Sequence, residues 1–137
     1  MASYPNPWMF NGQEFDDINA IGYIGFVYLI EGPTKKYVGK KIFNFRKRLK
    51  RKGKRDKLKS VESDWKEYWG SSEELKIDIE KLGVDLFHRE IIRLCKTKTE
   101  MAYWEAKEQF SRGVMERDDF YNRWISCKIR HKIKIDA

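Results

Sequence analysis

The sequence predicts an α+β domain in which a small antiparallel sheet carries helices on its surface. Three observations lead there. A β-branched and aromatic run over residues 24–31, "IGFVYLIE", is followed after "GPT" by a second such run, "KKYVGKKIF". A third apolar run, "LFHREIIRLC" over residues 86–95, lies between two segments with helical spacing. No repeat, low-complexity linker or break in composition divides the 137 residues, a length that suits one domain.

The elements follow in order. Residues 1–20 mix polar and aromatic residues with Pro5 and Pro7, and read as an N-terminal arm whose Trp8, Phe10 and Phe15 can pack on the domain. The first two runs, with the Gly-Pro-Thr turn between them, predict an antiparallel hairpin. Asn44 is placed to cap a helix beginning "FRKRLK", interrupted at Gly53. Ser71 and Glu74 have capping-box spacing, Leu75, Ile79 and Leu82 recur at i, i+4, i+7, and Gly83 is a stop, which predicts a helix over 72–82. The run 86–95 is the third strand. The strongest helix is "TKTEMAYWEAKEQFSRGV", opened by Thr97 or Thr99 and closed by Gly113. The chain then turns through "DDFYNRWIS" into a basic tail, 127–137, in which Lys, Arg and His alternate with Ile. The main body is thus expected over 21–126.

Composition narrows the classes of function. Hydrophobic residues make up 41% of the chain, enough for a packed core. The longest apolar run, Tyr23 to Ile30, is too short to span a bilayer, and the N-terminus has no basic-then-apolar signal, so a cytoplasmic protein without a membrane is expected. Cys95 and Cys127 form no CxxC pair and only two histidines accompany them, so reduced, buried thiols are expected and a zinc site is not. The net charge of +8 is concentrated: residues 46–59, "RKRLKRKGKRDKLK", hold ten Lys/Arg and one Asp, +9 in all, leaving about −1 for the rest. A single basic block points to a polyanion, with nucleic acid first. The block lacks the apolar face of a membrane-surface helix.

Binding alone does not break a phosphodiester. That needs an activated water, neutralisation of charge on the phosphoryl group and help for the leaving oxygen. Tyr28 and Tyr37 on the hairpin, Arg48 in the basic block, Glu105 in the strongest helix and Asn122 in "YNRW" form one candidate set. Taken singly, strand tyrosines are packing residues, and Glu100 or Glu108 would serve as well as Glu105. Trp65, Tyr68, Trp69, Trp104 and Trp124 read as core or rim aromatics, and His88 as structural.

The ordered set changes this. "FVY" (26–28), "YVG" (37–39), an arginine eleven residues after Tyr37, a mid-helix glutamate and a downstream "YN" together resemble the GIY-YIG nuclease superfamily. With "WKEYWGSSEEL" and "YWEAKEQF", they are similar to its small free-standing phage-encoded, homing-type members. The resemblance covers roughly residues 24–124 and implies a three-stranded antiparallel sheet flanked by helices, and a metal-dependent DNA endonuclease. It further implies that Tyr28 acts as general base on the attacking water or positions it, with Tyr37 tuning or relaying that proton. Arg48 would stabilise the scissile phosphate, Glu105 would hold one Mg²⁺ or a similar divalent ion such as Mn²⁺, and Asn122 would support the site. A free tyrosine titrates near 10, so a base role needs nearby positive charge.

Gly39, Lys40, Lys41, Arg46, Lys47, Lys50, Arg51 and Lys52 are the expected DNA contacts. The partner expected is double-stranded DNA, bound by a monomer or a transient dimer. Two departures are visible: Phe26 replaces the first motif's glycine, and Lys52 stands where many members carry a histidine. The literal "YIG" at Tyr23-Ile24-Gly25 precedes "FVY" and reads as a decoy, so Tyr23→Phe should matter less than Tyr28→Phe. The alternative is a non-catalytic nucleic-acid-binding module of the same fold.

Overall fold

The structure, a computed structural model, describes residues 6–129. The basic tail expected over 127–137, with His131, falls mostly outside them.

The N-terminal arm is more structured than expected. Two short strands, β1 (Met9–Phe10) and β2 (Gln13–Glu14), pair antiparallel around Asn11 and Gly12. Asp16 caps a single helical turn, α1 (Asp17–Ala20), in a reciprocal capping box with Asn19. Trp8 and Phe15 are buried, and the Trp8 indole N–H donates to the Trp65 carbonyl at 2.6 Å. Two-residue strands carry no periodicity, which is why the arm gave no signal of them.

The hairpin forms as expected, from β3 (Gly25–Glu31) and β4 (Lys36–Ile42), with Gly32 N–H donating to the Lys35 carbonyl across the turn. Beyond it the sequence expectation is overturned. Residues from Asn44 form no helix but a second hairpin, β5 (Asn44–Leu49) and β6 (Lys57–Glu62). A helix here would stack Arg46 on Lys50, Lys47 on Arg51 and Arg48 on Lys52, like charges at i, i+4 with no apolar face to offset them. An extended ribbon sends successive side chains to opposite faces.

The later helices form where expected, but the first of them is capped one residue after Ser71, whose hydroxyl bonds Tyr37 instead. Ser72 caps α2 (Glu73–Leu82) by accepting from Leu75 N–H, and Gly83 ends it at φ +96°. After a 3-10 turn at Val84–Leu86 comes β7 (His88–Cys95). Thr97 caps α3 (Lys98–Ser111) by accepting from Glu100 N–H.

Five strands rather than three make the main sheet, in the order β2-β1-β7-β3-β4. It is mixed rather than purely antiparallel, because β1 joins β7 in parallel at Met9↔Glu90. The interior strand β3, between β7 and β4, is buried on both faces, which explains its unbroken apolar run. Phe26, Tyr28 and Ile30 face an aromatic cluster with Trp8, Phe43 and Trp65. Val27 and Leu29 face the other way, onto Met101 of α3, Val114 and Phe120.

Arg89 holds the first layer together. It is 1% exposed, and its guanidinium lies 4.7 Å from the Trp8 ring and 4.4 Å from the Trp69 ring. It donates to the carbonyls of Asn6, Lys66 and Tyr68. Burial pulls its pKa down to about 10, so it remains charged at neutral pH. Among the described residues no helix is long and apolar enough to cross a membrane.

Candidate active site

Strand β4 is the sheet edge, and the cleft opens along it. Its register with β3 sets Gly39 opposite Tyr28, and Tyr37 opposite Ile30, one step diagonal from Tyr28. The two tyrosines share a face, with ring centroids 6.2 Å apart. Gly39 was expected to let substrate approach. Instead it accommodates a neighbour: a Cβ built there would lie 2.6 Å from Tyr28 Cζ and 3.0 Å from Tyr37 Cε2.

The segment after α3 completes the edge. Lys36 N–H donates to Asp119 and Tyr121 N–H donates to Lys36, a short parallel bridge. Asn122, only 6% exposed, then bonds Val38 in both directions: its Nδ2 donates to the Val38 carbonyl at 2.8 Å, and its Oδ1 accepts from Val38 N–H at 3.1 Å. Asn122 thus grips the backbone between Tyr37 and Gly39. Gln109 donates to the same carbonyl at 3.1 Å, leaving its own Oε1 buried without a partner.

Glu105 and Gln109 sit one turn apart on α3 and share a cleft of about 430 Å³ with Tyr37, Ser71, Asn122 and Arg123. Trp124, 74% exposed, stands at its rim. The N-terminus of α2 forms the facing wall, where Glu74 is paired with Lys35 at 2.8 Å and with Arg123. Lys35, then Arg123, hold Glu74 below the usual carboxylate range.

Electrostatics distinguishes the candidates. Burial raises the Glu105 pKa, partly offset by Lys40, whose Nζ lies 3.9 Å away. Tyr28 is 1% exposed, and burial, then the nearby Tyr68, Tyr37 and Glu105, push its phenol well above 10. Tyr37 is only partly buried. Burial raises its pKa too, while its hydrogen bond with Ser71 at 2.9 Å works in the opposite direction. Both phenols are therefore neutral at neutral pH. Lys41 does not reach them with a free charge: its Nζ is bound to Asp64 at 2.7 Å and sits 4.0 Å over the Tyr68 ring.

The structure brings Tyr28, Tyr37, Gly39, Lys40, Glu105 and Asn122 together around β4. It does not bring Arg48 there. That residue was expected on a helix beside the site; it lies on β5, 71% exposed, 3.8 Å from Asp56. Arg46 and Lys47 share its strand, and Lys50, Arg51 and Lys52 follow in the connecting loop. The arginine in the cleft is Arg123, one residue past Asn122. It was visible in "YNRW", yet only the fold shows that this tetrapeptide lies along the sheet edge. Tyr68, packed edge-on to Tyr28, and Ser71, bonded to Tyr37, come from "YWGSS". Cys95 is buried and its thiol is raised to about 12 by burial, as expected of an inert cysteine, whereas Cys127 is exposed.

Neither a curated protein nor a solved structure matches the chain. Residues 8–125 match the family described as "Putative endonuclease segE, GIY-YIG domain". That match spans most of the 137 residues and includes both the hairpin tyrosines and the cleft. The chain therefore belongs to the segE-type GIY-YIG nuclease family.

Proposed function

We propose that this protein is a metal-dependent DNA endonuclease that hydrolyses phosphodiester bonds in the cleft along β4. The observation that carries the reading is Glu105: a largely buried carboxylate facing the same cleft as Tyr37, Asn122 and Arg123.

The residues fit a single Mg²⁺. No group of three His, Cys, Asp or Glu able to hold a metal occurs among the described residues. Mg²⁺ does not require one: it keeps several waters and takes one or two carboxylates plus substrate phosphate oxygens. Glu105 would hold it, and the unpartnered Gln109 Oε1 one turn away is an acceptor on the same helix. Such an ion supplies charge neutralisation at the phosphate and the leaving oxygen.

The chain's own groups supply the rest. The oxygen of a water bonds to phosphorus while the bond from phosphorus to the leaving oxygen breaks, and that oxygen takes up a proton from solvent. Burial raises both phenols, which favours a neutral tyrosine over a standing phenolate. Tyr37 instead takes the water's proton as it passes its own to Ser71, 2.9 Å away, and Ser71 releases one to solvent. Tyr28, enclosed beneath, orients this pair. Lys40 and Arg123 bind the phosphate, while Arg48, Lys41 and the basic block hold flanking DNA. Trp124 at the rim is placed to stack on a base.

The test is plasmid cleavage with Mg²⁺ and sequencing of the product ends. Glu105→Ala should lose cleavage while still shifting DNA in EDTA; undiminished cutting by that variant would overturn the assignment. A second reading, a non-catalytic DNA-binding module, is favoured by the raised phenols, and would be established by tight binding without cutting under any divalent ion. One cleft cuts one strand, so a double-strand break requires sequential nicks or a transient dimer. The family match suits a free-standing homing-type or host-DNA-degrading phage enzyme acting in the host cytoplasm.

A further inference from the structure

The ribbon formed by β5 and β6 belongs to neither core cluster. Its strands are six residues each, so it extends about 20 Å at the usual rise per residue. It is rooted firmly: Ser63 N–H donates to the Phe43 carbonyl at 2.8 Å, and Ser63 Oγ to the Ile42 carbonyl. Beyond that root nearly every residue is exposed.

The register divides its side chains into two unlike faces. Arg46 is paired with Ser60 and Arg48 with Leu58 on one face. On the other, Lys47 stands directly opposite Lys59, and Leu49 opposite Lys57. Directly opposed like charges destabilise a ribbon. Nothing nearby relieves them: Asp56 faces Arg48 at 3.8 Å, and Glu62 is taken by the Trp65 indole and by Lys66 at 3.6 Å. Among the described residues, Lys47, Lys57 and Lys59 have no ion pair. A ribbon that keeps this arrangement with no core beneath it is built to meet a polyanion.

Shape selects which one. A major groove about 12 Å wide admits a two-stranded ribbon, whereas a minor groove about 6 Å wide does not. Arginine is the side chain that pairs bidentately with guanine O6 and N7, and Leu58 beside Arg48 suits a thymine methyl. Single-stranded nucleic acid would call for a row of aromatic platforms, and Phe45 is the ribbon's one aromatic residue.

We propose that this ribbon lies in the major groove of duplex DNA, with Arg46 and Arg48 on base edges and Lys47 and Lys59 reaching phosphates of opposite strands. The ribbon then supplies sequence preference from inside the nuclease domain. The inference rests on the nuclease reading for the identity of the polyanion, but its test does not depend on cleavage.

Binding is measured in EDTA on short fluorescent duplexes of random sequence, with dimethyl sulfate interference mapped on the bound fraction. That reagent methylates guanine N7 in the major groove and adenine N3 in the minor groove. The wild type should be blocked by guanine N7 methylation, and Arg46→Ala/Arg48→Ala should lose that sensitivity. Lys47→Ala/Lys59→Ala should weaken binding to all duplexes and make the salt slope shallower by about 2. These surface changes leave the core untouched, and circular dichroism checks that the variants fold. Interference only at adenine N3, tighter binding to single-stranded DNA or RNA than to duplex, or wild-type binding by both double variants would each overturn the proposal. Interference at N7 in a protein that never cuts would remove the nuclease reading and leave the ribbon assignment standing.

Discussion

The ring of Tyr28 fills the space that a side chain on Gly39 would need. These residues are direct cross-strand partners in β3 and β4, and a Cβ on Gly39 would come within 2.6 Å of Tyr28 Cζ. The second motif's glycine thus exists for the first motif's tyrosine. Gly39→Ala should cost about 1–3 kcal/mol through overpacking, read as a lower denaturant midpoint with an unchanged m-value. It should also depress cleavage, because Tyr37 Cε2 is displaced with the same contact. Wild-type stability in this variant would show that the tyrosines move apart freely.

Exposure sets the order of the tyrosines. Tyr37 lines the cleft and bonds Ser71, whereas Tyr28 is enclosed. Tyr37→Phe would break the proposed relay and should lower kcat by about a hundredfold or more, the scale of general acid–base catalysis, with little change in DNA affinity. Tyr28→Phe loses its hydrogen bond with Tyr68, so it should lower stability by about 0.5–1.5 kcal/mol and kcat by less than Tyr37→Phe does. Tyr23 lies in a separate groove with Phe10 and Lys96, and Tyr23→Phe should cut like wild type. Single-turnover rates on one DNA substrate rank all three.

Glu105 should impose an unusual acid limb. It must be ionised to hold a cation, and burial raises its pKa, so activity should begin to fall at a higher pH than an exposed glutamate, near 4.3, would dictate. Lys40→Met removes the opposing charge and should move the limb higher still, read from normalised rate profiles. The stability consequence has a definite sign. A carboxylate whose folded pKa is raised favours the fold when protonated, and this advantage is lost as pH rises from the unfolded value through the folded one. Glu105→Gln should therefore melt above wild type at pH 7, with the gap closing at pH 4. A lower melting temperature at pH 7 would contradict the burial argument.

Arg89 should be irreplaceable by lysine. Its fork reaches three carbonyls between two tryptophan rings, and a lysine offers a compact point charge instead. Arg89→Lys should destabilise clearly. Arg89→Met should do worse, at about 1–3 kcal/mol for each buried carbonyl left unpaired. Thermal melts of both variants check this.

Sequence alone determined the elements whose signals are local. The hairpin β3–β4 follows from two β-branched runs around a turn. The helices α2 and α3 follow from capping signals near Ser71 and at Thr97 and a stop at Gly83, although the cap of α2 proved to be Ser72, one residue later than its sequence signal. The family motifs were legible because their order along the chain survives without coordinates.

Only the tertiary structure decided the rest. It made the basic block a ribbon, since like charges at i, i+4 oppose a helix that has nothing to pack on. It took Arg48 out of the cleft and put Arg123 in. It raised the two phenols by burial, which no tripeptide reports. The bonds responsible join residues far apart in sequence: Asn6 to Arg89, 83 positions apart, and Val38 to Asn122, 84 apart. Local propensity and period describe neighbours within a turn or a strand pair. Desolvation and edge pairing depend on partners brought together only when the chain closes.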